Sequence, residues 1–492
     1  ATDWPQPLDL AKDHLFMPIK YILRRMPRHM QFINGPATTN AHKGATRRAS
    51  SYTYCFWSQR RPSMFSGLTE TYREFPVTFW TLIGATFIDR VGGAILFPFL
   101  ALYVTAHFGV GMTEVGVLFA IFAVSSILGG FVGGAATDRF GRRAALLFGL
   151  VTSALSSLAM GLTDSLSLLY VVAVIAGLLS NMAGPAQQAM IADLLPEKQH
   201  AEGYGILRVA TNLAVVIGPA LGGLLAARSY LLLFVLDALT SIATAIIAYL
   251  VLPETKPKAA EGESVETVTQ TFAGYSVALR DRVYIAFVVA SILMVTMAIQ
   301  INSTLSVYLR DQHGVSEQAF GLIISLNAAM VVAFQFWITR RLAGFAPLKL
   351  MVVGTVFYAL GFGLYGVVGT YWLFLLAMVV ITIGEMIVSP TGQALAARMA
   401  PRTMRGRYLA VYGFSRAVPT AIGPLAAGLI MDNANPDLVW VAAAALGLLA
   451  AAAYAFLHLR AGSRLVAHEA GSEDVPSLLI APATPTPQEA ED

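Results

Sequence analysis

Asp89 and Glu385 are the two acids that lie deepest in long apolar stretches of this chain, twelve residues into the run 77–104 and fourteen into the run 371–396. At a helical rise of about 1.5 Å per residue, both positions fall near the middle of a membrane. An ionisable group there costs roughly 2.5 to 3.5 kcal/mol or more and marks a path for a proton or a charged solute. A carboxyl group shielded from water can take up and release a proton near neutral pH, which is the chemistry that coupling to a proton gradient requires. The competing reading of Asp89 is a permanent ion pair with a basic residue. Adjacent Arg90 cannot share its helix face, because helical neighbours meet at spacings of three and four.

Two further stretches carry unusual residue combinations. "GGAATDRFGRRAALLFG" places Gly134, Asp138, Arg139, Gly141, Arg142 and Arg143 in one tight connector, where glycines allow a sharp turn and charges of both signs can exchange partners between conformations. Basic residues obeying the positive-inside rule would explain the arginines, but not Asp138 between two glycines. "NLAVVIGPALGGLL" places Gly218, Pro219, Gly222 and Gly223 together, so a bent helix can approach a neighbour closely there. Asp193 stands in "MIADLLP", at the end of another apolar run.

The elements that must position these residues are membrane helices. The 492 residues are 56% hydrophobic and 13% charged, against about 25% charged in a soluble domain. A bilayer core of roughly 30 Å needs about 20 helical residues. Apolar runs of that order occur at 77–104, 113–136, 144–162, 166–195, 205–227, 230–252, 283–309, 317–338, 348–368, 371–396, 407–430 and 437–459. Alternate connectors hold the basic residues, among them Arg139, Lys198, Lys256, Arg280, Arg340 and Arg402, so both termini are expected in the cytoplasm of a multi-pass protein of the plasma (inner) membrane. Arg208, Arg416 and Asp237 lie near span ends and are expected to reach towards the interface.

The expected organisation is an N-terminal extension over 1–76, a six-helix half over 77–252, a cytoplasmic linker over 253–282, a second half over 283–459 and a disordered tail over 460–492. Met64 opens an ordinary lead-in to the first span, so the natural start is expected there. The halves repeat at a constant separation of 205 residues: Pro185 with Pro390, Gln188 with Gln393, Gly218 and Pro219 with Gly423 and Pro424, Tyr103 with Tyr308, and Gly109 with Gly314. A repeat of six spans preserves topology, so this is the parallel kind, whose halves can rock about a site between them.

The charged connector closely resembles the G-x-x-x-D-R-x-G-R-R signature of the major facilitator superfamily. Gly218 to Gly223 resemble the G-P-x-x-G-G signature of its proton-coupled antiporters, and "DRVGGAILFPFLALY" is similar to a further drug-exporter signature through Asp89, Gly93, Pro98 and Phe99. The resemblance covers about residues 75 to 460. It implies an all-α membrane protein of two six-helix bundles, with Asp89 and Glu385 bordering a central cavity as proton or substrate groups. It also implies a conformational latch in which Asp138 and Arg142 meet Asp193 and hold the cytoplasmic side shut. One departure matters. Many drug exporters of this group carry an arginine in the fourth span, and this chain has none there; Arg90 and Arg208 are the nearest candidates by type.

The function this favours is secondary active export of a drug-like or amphipathic small molecule, driven by proton entry. The alternatives are a permease for a defined metabolite, such as a sugar, organic acid or siderophore, and a non-transporting sensor. No G-x-x-x-x-G-K-[ST] loop, HExxH or nucleophile elbow supports an enzyme, and no cofactor is implied. Cys55 is the sole cysteine, so no Cys-based metal site forms within one chain. The net charge of +4 lies in connectors and tails, which argues against nucleic acid. The expected partners are the small-molecule substrate, protons and the lipid bilayer, with the chain acting as a monomer.

Overall fold

A computed structural model describes residues 72–256 and 276–470, apart from Arg73, Asn181, Arg402 and Thr403. The expectations for the N-terminal extension and the Met64 start, for most of the 253–282 linker and for the end of the tail fall outside the described residues. Within them, twelve helices are long and apolar enough to cross a membrane: Val77–Phe108, Met112–Phe140, Arg142–Leu162, Leu166–Leu194, Glu197–Ala226, Leu231–Val251, Arg282–Asn302, Glu317–Leu342, Pro347–Tyr365, Tyr371–Met399, Arg405–Asn433 and Leu438–Arg460. They are called the first to twelfth spans below.

Proline accounts for some of their irregularities. It has no N–H to donate, so the first span tightens to a 3-10 turn at Phe97–Phe99 around Pro98. The fourth is two helices, Leu166–Ser180 and Ala183–Leu194, with Pro185 in the first turn of the second. Pro219, Pro390 and Pro424 by contrast lie inside unbroken helices.

The repeat read from the sequence reappears as repeated geometry. Gly109 and Gly314 both end a helix in the left-handed region, at φ 65° and 63°, which a side chain would strain. The Tyr103 hydroxyl donates to the Met160 carbonyl at 2.9 Å, and the Tyr308 hydroxyl to the Tyr365 carbonyl at 3.1 Å, so donor and acceptor both recur 205 residues on. Tyr103 thereby ties the first span to the third, and Tyr308, in the helix Thr304–His313 that follows the seventh span, makes the corresponding tie to the ninth.

The two halves meet through pairs of helices from opposite halves. Gly116 of the second span faces the backbone of Pro424 and Leu425 of the eleventh, and Gly321 of the eighth faces the Pro219 carbonyl and Gly223 of the fifth. Hydrogen bonds join the halves at the same end. Asp432 accepts from the Met112 and Thr113 amides at 3.0 and 2.7 Å, capping the second span from across the interface. Arg310 donates to the Leu102 carbonyl and the Thr105 hydroxyl at 3.3 and 3.0 Å, and Tyr230 to Glu317 at 2.9 Å. Burial and the adjacent Glu317 carboxylate push the Tyr230 hydroxyl well above its ordinary range, so it remains a donor. This closed end carries the short connectors around Gly109 and Gly314; the basic connectors lie at the other.

Candidate functional site

The first span brings Asp89 against the sixth. Ser241 donates to Asp89 Oδ1 at 2.9 Å, and Thr244, one turn further along the same helix, donates to the Ala85 carbonyl at 2.9 Å. Asp237 lies one turn before Ser241 and on the same face, only 9% exposed. The expectation that Asp237 reaches to the interface is thus corrected: its helical register turns it inward, towards Gly92 of the first span. A Cβ on Gly92 would stand 3.0 Å from Asp237 Oδ1 and would overlap Thr240, so glycine is what lets these two helices close around the acid. The i, i+4 spacing of an acid and a hydroxyl in an apolar run was the available signal in the sequence.

Asp89, Arg90 and Asp237 line one cavity of about 480 Å³. Ser153, Ser156 and Ser157 of the third span supply further hydroxyls, and Phe97, Phe119 and Phe122 supply aromatic wall. Every residue of this lining lies between positions 89 and 237, so the cavity sits within the first six spans.

Glu385 occupies a different setting, in the last six spans. Asn327 Nδ2 donates to Glu385 Oε2 at 2.8 Å and lies 3.0 Å from the Thr382 hydroxyl, whose own proton goes to the Met378 carbonyl at 2.7 Å. Arg416 of the eleventh span is near enough to act on the Glu385 charge. Buried Tyr358 feels the same two charges. Asp89 and Glu385 therefore do not share one set of contacts. The repeat underlines this: 205 residues on from Asp89 stands Met294, and 205 residues before Glu385 stands Ser180. Asp89 and Glu385 thus stand at non-equivalent places in the two halves.

Two polar residues of apolar runs, Gln300 and Gln335, are engaged in main-chain contacts: Gln300 donates to the Gly423 carbonyl at 3.1 Å and Gln335 to the Met386 carbonyl at 2.9 Å.

The charged connector folds into a compact cluster. Arg142 Nε meets Asp193 Oδ2 at 3.0 Å, and its Nη1 meets Asp138 Oδ1 at 3.4 Å. The Arg142 and Asp193 side chains are 13% and 18% exposed, whereas Asp138 is 78% exposed, so the first pair is the stronger. Residues just after the sixth span, which the sequence did not join to this connector, complete the cluster. Glu254 accepts from the Arg142 and Arg143 amides at 2.8 and 3.2 Å, Thr255 donates to Asp193 at 3.0 Å, and Lys256 donates to the Arg139 carbonyl at 2.9 Å. Gly141, at φ 103°, makes the turn, with the Glu254 carboxylate where a Cβ would stand. Nothing lies within 4 Å of a Cβ on Gly134. These contacts tie the second, third, fourth and sixth spans together.

Exchanging the charges tests whether the pair matters as a pair. Arg142→Asp and Asp193→Arg are each expected to depress transport, and the double exchange to recover part of the loss, with a coupling of about 0.5 to 3 kcal/mol. A double variant no more active than the weaker single one, in vesicles matched for protein content, would argue against the pair.

Gly218, Pro219, Gly222 and Gly223 act as a close-packing surface with two sides. A Cβ on Gly218 would collide with Ala94, and one on Gly222 with the Ile95 carbonyl and Phe99, all in the first span. Gly223 abuts the Glu317 carbonyl of the eighth span at the interface between halves. The same contact recurs in the second half, where Gly423 packs on Ile299. The fifth span is thereby wedged between the helix that bears Asp89 and the opposite half.

Comparison with known proteins agrees with this architecture. The profile described as Major Facilitator Superfamily matches residues 82–308 and 288–485. A "Na(+), Li(+), K(+)/H(+) antiporter" of Planococcus maritimus is 28% identical over 358 residues, covering 67% of this chain and 84% of its own length. The "Multidrug resistance protein MdtH" of Salmonella newport is 24% identical over 390 residues, covering 76% and 93%. Among solved structures, a peptide transporter POT in complex with sulfate superposes with a TM-score of 0.66 at 17% identity, covering 80% of this chain and 96% of that one. A bacterial homologue of the human lysosomal transporter Spinster, described as inward-facing and unoccupied, gives 0.60 at 15% identity, covering 80% and 96%.

Proposed function

The chain belongs to the major facilitator superfamily, and from that premise we propose that it is a proton-coupled exporter of drug-like or amphipathic small molecules working by alternating access. The observation that carries this reading is the pair of deep acids, Asp89 and Glu385, one in each half and each held by hydrogen bonds from neighbouring spans. Carboxylates so placed can take up a proton on one side of the membrane and release it on the other as the halves rock. The names of the two relatives, one a cation/proton antiporter and one a multidrug resistance protein, support exchange and export respectively.

The remaining assignments follow the same reading. The halves are 77–252 and 283–459, joined by the linker 253–282, with both termini in the cytoplasm of the inner membrane and the chain acting as a monomer. With the basic connectors inside, the interface that Asp432, Arg310 and Tyr230 tie together faces outward, so the state described is closed to the outside. Arg142, Asp138 and Asp193, whose contacts join spans of the first half only, brace its inner end and act as a conformational latch within that half, and the packing of Gly218 to Gly223 keeps the fifth span in register with the first.

The test is transport by the purified chain in proteoliposomes with an imposed pH gradient and a panel of amphipathic cations, neutral drugs and polar metabolites. Movement of at least one amphipathic compound against its own gradient, abolished by a protonophore, is expected. Flux that ignores the pH gradient for every compound moved would overturn proton coupling, and movement of polar metabolites alone would overturn the substrate class.

A further inference from the structure

At the end of the molecule that carries the basic connectors, the starts of the seventh and eleventh spans come together. The Tyr284 hydroxyl donates to the Tyr408 carbonyl, the two rings lie 4.5 Å apart, and the Tyr408 hydroxyl donates to Asp281 Oδ2 at 3.4 Å. Arg280, Arg282 and Arg405 flank these contacts in the chain and are all exposed, with Arg407 half-buried beside them. Asp281 is the one acid within 276–290 and 404–420. It is already occupied, because its Oδ1 accepts from the Val283 and Tyr284 amides at 3.1 and 3.0 Å and caps the seventh span. None of the ion pairs among the described residues includes Arg280, Arg282 or Arg405.

The positive-inside rule does not account for this corner. With six spans in each half, both halves enter the membrane from the same side, so the rule acts equally on equivalent positions. The first half has the same helix contact: a Cβ on Gly203 would touch Phe79 at 3.5 Å, and Phe79 and Gly203 stand 205 residues before Tyr284 and Tyr408. Its residues equivalent to Arg280, Arg282, Arg405 and Arg407 are nevertheless Phe75, Val77, His200 and Glu202. Phe75 is buried and stacks on Phe79. Apolar packing closes the corner in one half, and exposed arginines stand there in the other.

Apolar side chains are interleaved with these charges. Residues 276–280 are helical ahead of the seventh span, with Ala278 buried while Val277 and Leu279 are exposed next to Arg280. Val289, two turns beyond Arg282 on the same helix face, is exposed as well. A free anion arriving from water would leave these side chains uncovered, whereas a lipid covers them with its acyl chains and brings a phosphate to the charges. The planar guanidinium fork matches phosphate oxygens in both geometry and charge. We infer that Arg280, Arg282 and Arg405 form a binding site for the headgroup of one anionic phospholipid, whose acyl chains lie over Leu279 and Val289. Lipid binding of this kind is independent of proton coupling and of the compound transported.

Competition between two lipids for the purified full chain in dodecyl maltoside tests the site. Dioleoylphosphatidylglycerol and dioleoylphosphatidylcholine are offered in equal amounts, and the lipids retained are counted by native mass spectrometry. One arginine near a lipid phosphate contributes about fivefold in affinity, so a preference for phosphatidylglycerol of at least about tenfold is expected. It is expected to fall towards parity when Arg280→Gln, Arg282→Gln and Arg405→Gln are combined. Combining Arg340→Gln, Arg341→Gln and Lys349→Gln removes as many charges from another connector of the same half and is expected to keep the preference. Equal retention of the two lipids by the parent chain overturns the site. An equal loss in both triple variants overturns it too, because the preference then belongs to the basic face as a whole. Displacement of phosphatidylglycerol by sodium phosphate, where sodium chloride of the same ionic strength has no effect, overturns it in favour of a free anion. If the first triple variant fails to fold, Arg282→Gln and Arg405→Gln are each expected to lower the preference about fivefold; an unchanged preference in both is the contrary result.

Discussion

Replacing Gly116 by leucine is expected to prevent closure of the end at which the two halves meet. A single Cβ on Gly116 would stand 2.7 Å from the Leu425 amide nitrogen and 2.9 Å from the Pro424 carbonyl oxygen, both of them backbone atoms that no side-chain rotation can move aside. Overpacking a close helix contact costs about 1 to 3 kcal/mol, which is a population shift of about 5- to 150-fold away from the state described here. Cysteine placed at Thr113, beside the Asp432 cap, in a Cys55→Ser background reports that shift as faster reaction with an impermeant maleimide. Gly321→Leu, which meets the Pro219 carbonyl at the equivalent contact, is expected to do the same. Gly84→Leu, with nothing within 4 Å of its Cβ, is the control. Unchanged labelling in folded Gly116→Leu and Gly321→Leu would show that this contact does not govern the conformational equilibrium.

Glu385→Gln is expected to separate transport from its driving force. Glutamine keeps the length of the side chain and can still accept from Asn327 Nδ2, which lies 2.8 Å from Oε2, so the surrounding helices have little reason to repack. What it cannot do is bind and release a proton. If Glu385 carries a coupling step, the acceleration of flux by an imposed pH gradient falls by about 5- to 150-fold, the range of a coupling free energy of 1 to 3 kcal/mol. Exchange of labelled for unlabelled compound at equal pH persists. The readout is the ratio of flux with and without the gradient, which a merely weakened protein would not alter. A ratio equal to that of the parent chain would remove Glu385 from the coupling path, and Glu385→Asp is expected to keep part of the ratio.

Sequence reasoning alone determined the elements and their order. Span length and apolarity are local properties, because a helix in lipid must satisfy its own backbone hydrogen bonds within a fixed thickness. All twelve spans were therefore visible as runs, with most ends displaced by four residues or fewer and the largest shift at the start of the fifth, which begins at Glu197 rather than 205. The repeat was visible too, since a separation of 205 residues requires no knowledge of contacts. Arg142, Asp138 and Asp193 could be grouped through a resemblance, although not with Glu254, Thr255 and Lys256, which reach the cluster only because the sixth span returns beside the third.

Tertiary structure decided what the deep acids touch. Asp89 and Glu385 look alike in the sequence, each an acid near the middle of an apolar run. Asp89 turns to Ser241 and shares a cavity with Asp237, 148 residues away in the chain, while Glu385 turns to Asn327 in the eighth span. Helical periodicity gives a residue's face but not which helix that face meets, and only packing assigns Asp237 to the interior rather than to the interface. The charged groups inside the membrane were thus legible one at a time. Their partnership depends on which helices lie side by side, and it is the low polarity of their surroundings that makes such partnership consequential.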